Sequence, residues 1–191
     1  MVVANISKCP EIRVFAGPNG SGKSTISGEE WRIQPYINAD DIAKEQRISN
    51  EEAAIVAEKM RNDAVANNHS FSFETVLSTD RYPLLLERAK SNGYFIKGYY
   101  IFTCDPSINV ARVMMRVAAG GHDVPVDKII SRYWKSRAMI PRFLNVCDIC
   151  HIYDNSDIEP TRIVRKHKSQ LTIFPNERWS VRDIKSLIGI E

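Results

Sequence analysis

The chain predicts a three-layer α/β domain with a five-stranded parallel sheet, and three observations carry that reading. Short apolar runs alternate with longer segments of helical period, the pattern of parallel strands joined by crossover helices. A glycine-rich stretch, Gly17-Pro18-Asn19-Gly20-Ser21-Gly22-Lys23-Ser24, directly follows the first apolar run and opens a helical one. At 191 residues, 43% apolar and 26% charged, the chain is long enough to bury one core and too ordinary in composition for long disorder. No internal repeat, low-complexity tract or linker divides it, so residues 1–191 read as a single domain.

Taken in order, Ile12–Ala16 reads as the first strand, with a helix from about Gly22 behind the glycine-rich turn. Tyr36-Ile37-Asn38 is a short second strand. Ser49 and Glu52 make a capping box, and the acids beside them suit a helix N-terminus. The helix that follows should carry Ala53, Val56, Ala57, Met60 and Ala64 on its apolar face. Phe71-Ser72-Phe73-Glu74 is the third strand, and Pro83–Lys90 a helix closed by Asn92-Gly93. Tyr94–Phe102 and Ile149–Tyr153 are the fourth and fifth strands. Between them Ser107–Val146 is a long helical stretch, broken at Ala119-Gly120-Gly121-His122, where His122 reads as a turn residue. Thr161–Glu191 reads as two short strands and a closing amphipathic helix, a small β/α extension from about residue 157.

The net charge of +3 is too small to make nucleic acid or anionic lipid the default partner. No apolar stretch approaches the roughly 18–20 residues of a spanning helix. The opening MVVANISK has no apolar signal region, so the expectation is a cytoplasmic protein without a membrane partner. Of Cys9, Cys104, Cys147 and Cys150, the last two form a CxxC that lacks the second pair a zinc ribbon needs and runs into strand-like sequence. Buried, reduced thiols are expected. The basic run Thr161–Lys168 could suggest RNA, but Ile163 and Val164 within it favour an exposed strand with charged flanks.

The glycine-rich stretch matches GxxxxGK(S/T) between a strand and a helix, the context that gives this motif meaning. Its glycines let the backbone wrap so that N–H groups point at phosphate oxygens. Lys23 should reach the β- and γ-phosphates and the Ser24 hydroxyl should ligate Mg²⁺. Gly17, Asn19, Gly20, Ser21, Gly22, Lys23, Ser24 and Thr25 are therefore the candidate ATP-binding residues, with ATP and Mg²⁺ the expected cofactors. Neither an LSGGQ-like signature nor four apolar residues ending in Asp-Glu occurs, so a transport-type ATPase is excluded. An Asn-Lys-x-Asp base reader is absent too, which removes the GTPases.

What remains is a phosphotransferase layout, in which the second strand ends in an acid facing the phosphoryl acceptor. Asp40 and Asp41 stand there, where strand ends line the ligand crevice. A carboxylate at that place can take the proton of an attacking hydroxyl. Either aspartate could instead cap the next helix; Asp40 is read as the base and Asp41 as the cap. Glu74 and Thr75 emerge from the third strand at the same edge, and with Asn38 are the candidate substrate contacts, a solvated strand end being the alternative. Residues 111–142 hold seven basic and two acidic side chains, a local +5 that leaves −2 for the rest of the chain. This segment, about 107–142, reads as a helical lid hinged at Gly120-Gly121 that brings arginines to the γ-phosphate.

In these motifs the chain resembles the zeta-toxin family of P-loop kinases, particularly its short members. The resemblance rests on AGPNGSGKST (16–25), INADDIA (37–43), FSFETVLS (71–78), RVMMRVAAGGHDVP with ISRYWKS (112–136), and IYDNS (152–156). It implies an adenylate-kinase-like fold that phosphorylates a hydroxyl of a sugar nucleotide, UDP-N-acetylglucosamine in the best-known members. By motif match Asp40 would be the base, Lys23 and Ser24 the phosphate and Mg²⁺ contacts, and Glu74 and Thr75 acceptor contacts. Arg116 and Arg132 would be the lid arginines, and an antitoxin protein a possible partner. Two rivals stay open: a polynucleotide 5′-hydroxyl kinase, and a regulatory module that binds ATP without turning it over.

Overall fold

A computed structural model describes residues 9–121 and 123–190. The expectations placed on the first eight residues, on His122 and on Glu191 lie outside the described residues. The elements in order are β1 (Glu11–Ala16), α1 (Lys23–Ile26), a 3-10 turn (Glu29–Trp31), β2 (Tyr36–Ile37), α2 (Ala39–Gln46), α3 (Asn50–Ala66), β3 (Phe71–Thr75) and α4 (Arg81–Ser91). There follow β4 (Phe95–Phe102), α5 (Pro106–Ala118), α6 (Val126–Ala138), α7 (Ile140–Val146), β5 (Ile149–Asp154), β6 (Thr161–His167), β7 (Gln170–Ile173) and α8 (Val181–Ile188).

Five strands run parallel in the order β2-β3-β1-β4-β5, as the α/β pattern requires. The C-terminal extension does not stand apart. Its strands β6 and β7 join the same sheet antiparallel to β5, making seven strands in all. β6 is therefore an interior strand and not the exposed one expected from its charges. A register shift at Ile152/Tyr153 turns both Ile163 and Val164 inward, where they are fully buried. The exposed basic side chains Arg162 and Arg165 flank them.

Alternation along the strands sorts the two faces. Ile12, Val14, Ala16, Ile96, Tyr100, Phe102, Cys150 and Ile152 share one large core with apolar residues of α3, α4, α7 and α8. The other face carries Phe15, Tyr99 and Ile101, packed with Ile26, Tyr36 and Tyr153. Among the described residues the helical cover there is thin, because α1 is a single turn followed by Gly28 and the 3-10 turn. Arg32 donates through Nε to the Ser27 carbonyl at 2.7 Å, satisfying an orphan acceptor at that abrupt end.

Three local readings change. The capping box at Ser49 and Glu52 is present, but the buried row of α3 is Ala53, Ala57, Arg61 and Val65, spaced four apart, with Ala64 beside it. Met60 is exposed, and an arginine takes the core place that periodicity had assigned to it. The long helical stretch breaks twice, the second time at Met139, because Pro141 has no N–H to continue the ladder. All four cysteines are free; Cys147 and Cys150 are buried as expected, Cys104 is half-buried and Cys9 is exposed. Burial pushes the Cys147 thiol well above its ordinary value, the state of an inert core residue. Among the described residues no helix is long and apolar enough to cross a membrane.

The C-terminal segment is fastened to the site by one buried carboxylate. Asp154, at the end of β5, accepts from Arg178 Nη1 at 2.9 Å, Trp179 Nε1 at 2.8 Å and the Ser156 amide at 3.0 Å. Asp154→Ala would leave the buried Trp179 indole N–H without an acceptor and loosen Arg178, and should lower stability by about 3 kcal/mol in urea unfolding.

Candidate active site

The glycine-rich loop is strung between β3 and β4 at the point where strand order reverses, the crevice position of a doubly wound sheet. The Gly17 amide donates to the Thr75 carbonyl at 3.1 Å. A Cβ on Gly17, whose φ is 143°, would stand 1.8 Å from the Ile101 carbonyl oxygen. Gly20, with φ 74°, passes so near α5 that a Cβ would stand 2.5 Å from the Asn109 carbonyl oxygen. No side chain fits at either place.

Two side chains that the sequence reading left unused hold this loop in shape. Asn109 of α5 donates to the Asn19 carbonyl at 2.5 Å and is itself fixed by the Thr103 hydroxyl. Asn155, within the IYDNS motif, donates to the Ser21 carbonyl at 2.8 Å. Because Asn109 reaches the loop from α5, nothing in the local sequence marks it. Asn155 alone carried a signal, its place in a motif.

Lys23 is buried beneath the loop, donating to the carbonyls of Gly17 at 2.8 Å and Pro18 at 3.0 Å. Glu74 Oε1 lies 3.8 Å from its Nζ. Burial pushes the ammonium below its ordinary value, the carboxylates of Glu74 and Asp40 pull it back, and Arg116 adds to the depression. Two acids and a second cation thus gather around one lysine. The Oγ of Ser21 and the Oδ1 of Asn19 are buried without a hydrogen-bond partner among the described residues. A buried hydroxyl without a partner in a loop of this kind fits a phosphate oxygen. Ser24 and Thr25, exposed at the mouth, leave a hydroxyl free for a divalent cation held jointly with the phosphates. α1 is too short to contribute much dipole, so the loop amides and Lys23 carry this site.

A cleft of about 450 Å³ extends from the loop past Asn38, Asp40, Glu74, Thr75, Tyr82, Arg61, Arg112 and Arg116. Asn38 caps α2, its Oδ1 accepting from the Asp40 amide at 3.0 Å. Neither aspartate is the cap, so the reading of Asp41 as one is corrected: an Asn one residue before the helix already satisfies the free amide. The exposed Asp40 carboxylate makes no hydrogen bond or ion pair found among the described residues. Glu74 accepts from the Tyr36 hydroxyl at 3.1 Å, which leaves its second oxygen toward Lys23. The buried Thr75 hydroxyl accepts from the Leu77 amide at 2.9 Å and so shapes the turn after β3.

The two expected lid arginines part company. Arg116 lines the cleft, whereas Arg132 lines a neighbouring depression with Leu77, Ser78, Thr79 and Arg81 that touches the cleft at Val76 and Tyr82. The segment is docked in this structure. Arg112 donates to the Asn155 carbonyl at 2.7 Å, and Tyr133 donates to the Thr103 carbonyl at 2.6 Å. Ser136 and Tyr100 share a hydrogen bond of 2.9 Å. The break between the helices passes through Gly120 at φ 85°, a left-handed conformation that glycine adopts without strain.

With this geometry in hand, comparison places the chain. It is 32% identical over 125 residues to an uncharacterized protein of Haemophilus influenzae, a match covering 62% of this chain and 89% of that one. The chain belongs to that protein's family. No family model matches it. Among solved structures, a chain of the AvrRxo1-ORF1:-ORF2 complex with ATP superposes with a TM-score of 0.70 at 14% identity, covering 87% of this chain. The chain spans only 61% of that neighbour's length. A structure from the PezAT toxin–antitoxin system of Streptococcus pneumoniae gives 0.56 at 19% identity, covering 81% of this chain and 71% of its own. The Pnkp1/Rnl/Hen1 RNA repair complex gives 0.56 at 17% identity, covering 92% and 55%. The fold is that of the zeta-toxin-like P-loop kinases.

Arg116→Ala should lower phosphoryl-transfer turnover by about a thousandfold if it neutralises the migrating group, as arginine fingers do. Arg132→Ala, one depression removed, should cost far less; steady-state rates of the two variants under saturating ATP measure the difference.

Proposed function

We propose that this chain is an ATP·Mg²⁺-dependent phosphotransferase acting on a hydroxyl group of a small molecule, with UDP-N-acetylglucosamine the leading acceptor. The observation that carries the reading is the exposed Asp40 carboxylate, without a hydrogen bond or ion pair among the described residues, in the same cleft as the buried Lys23. A carboxylate freed from capping and from ion pairs is available to take a proton.

Bound in the loop, ATP with Mg²⁺ would supply the phosphoryl group and neutralise part of its charge. Ser24 would hold the cation, and the loop amides with the Ser21 hydroxyl would hold phosphate oxygens. Lys23 and Arg116 offset the charge that spreads over the transferring group. Asp40 accepts the acceptor's hydroxyl proton as that oxygen bonds to the γ-phosphorus and the bond to the β,γ-bridging oxygen breaks. Glu74, steadied by Tyr36, together with Asn38 and Thr75, orients acceptor hydroxyls. The likeness to PezAT and to AvrRxo1-ORF1:-ORF2, each a two-component system by name, supports a protein partner of antitoxin kind for this chain as well.

A second reading, a polynucleotide 5′-hydroxyl kinase, is favoured by the likeness to the Pnkp1 complex. It requires acceptor binding that weakens steeply with salt, as phosphate-backbone contacts do.

Asp40→Asn should lower transfer by about a hundred- to ten-thousandfold while leaving ATP affinity nearly intact. Mass spectrometry of a metabolite extract incubated with protein, labelled ATP and Mg²⁺ reads both the rate and the acceptor. Full turnover in the variant would remove Asp40 from the base role, and a labelled oligonucleotide in place of a sugar nucleotide would select the second reading.

A further inference from the structure

The core-facing row of α3 contains a charge. Arg61 stands between Ala57 and Val65 on that row and is only 4% exposed. Its guanidinium lies 5.5 Å from the ring centre of Phe73 and 5.3 Å from that of Tyr82. Among the described residues it has no ion pair and no hydrogen bond. The nearby Glu58 is engaged elsewhere, 3.1 Å from Arg81. Two ring faces at that distance return only part of what desolvating an ion costs. Burial holds Arg61 below its ordinary value, with Tyr82 and Glu58 opposing, yet a guanidinium does not give up its proton in a protein. A positive charge is thus kept in the core with too little around it to compensate.

Where that charge faces gives it a use. Arg61 borders the cleft that also holds Asp40, Glu74 and Lys23, and it reaches a shallower depression on the far side of Tyr82. It stands over Phe73 of β3, on the side of the sheet where β2 delivers Asn38 and Asp40. The loop that would hold ATP lies beyond β3, at the end of β1. Arg61 is therefore on the acceptor side. Asp40 and Glu74 bring negative charge to that side, and Arg61 is the cation that stands over β3 there.

We propose that Arg61 binds an anionic group of the acceptor, a phosphate or phosphodiester that its planar fork grips through two oxygens while Phe73 and Tyr82 fix the plane of the guanidinium. The molecule phosphorylated then already carries phosphate, and an uncharged sugar or alcohol is a poor substrate. The word acceptor rests on the kinase reading above; the anion site does not.

The test saturates the glycine-rich loop with AMP-PNP and Mg²⁺ and titrates inorganic phosphate into the full chain, read by equilibrium dialysis and thermal shift. Wild-type protein should bind phosphate and melt higher with it. Arg61→Met should bind phosphate roughly tenfold more weakly or worse, with AMP-PNP affinity unchanged. Its melting temperature without phosphate should be equal or higher, since an uncompensated charge has left the core. Arg61→Lys keeps the charge and the stem but loses the fork, and should also bind more weakly; it decides the matter if Arg61→Met does not fold. Wild-type protein that takes up no phosphate, or variants that bind it as wild type does, would overturn the proposal. Failure of the kinase reading shows separately, as phosphate binding lost with Arg61 while Asp40→Asn leaves ATP consumption unchanged.

Discussion

The close approach of the glycine-rich loop to its two neighbouring strands is the constraint on which the rest of the site depends. The loop hangs from the Thr75 carbonyl on one side and presses against the Ile101 carbonyl on the other, with no room for a side chain between. That contact sets where Lys23 sits, because its ammonium is held by the carbonyls at the loop's own start. The position of Lys23 in turn decides which carboxylates can act near it. β3 ends in Glu74 beside the loop, and β2, one strand further out, sends Asp40 to the same cleft.

The loop is braced from a distance by polar groups that each have a single task. Asn109 and Asn155 take its carbonyls, and Asp154 fastens the C-terminal segment directly behind Asn155. Arg112 closes the circle by donating to the carbonyl of Asn155. Such side-chain to backbone contacts, made from buried or half-buried positions, hold a backbone in one conformation at the cost of ordering few flexible groups. The C-terminal extension therefore belongs to the site mechanically, although it adds no residue to the cleft.

Charge is distributed with the same economy. The basic segment from Arg112 to Arg142 looked like one lid carrying one cluster, yet its members separate once folded. Arg116 faces the cleft, Arg112 is occupied with carbonyls, Arg132 faces a neighbouring depression, and Arg142 pairs with Glu87 and Asp80. A further cation of the cleft, Arg61, comes from a helix read as purely apolar on that side. On α3 a difference of one residue, Arg61 for Met60, converts a packing position into a charged wall of the cleft.

By itself the sequence determined whatever local chemistry dictates. The phosphate loop was legible because GxxxxGKS needs only a strand before it and a helix after it. The five parallel strands followed from apolar runs too short for helices, and the start of α3 from the Ser49–Glu52 box. Glu74 was legible as an acid at a strand end and Asp40 as one just beyond β2, where it falls in the first turn of α2, since strand order alone brings such ends together. Only the tertiary structure decided which residue of the α3 row enters the core, that Asn38 rather than an aspartate caps α2, and that β6 lies inside the sheet. It also decided which arginine reaches the cleft. These outcomes turn on packing between segments far apart in the chain, and on shifts of a single residue in register or helical phase. A window of sequence gives adjacent candidates nearly equal weight there, and only the filled volume of the folded core separates them.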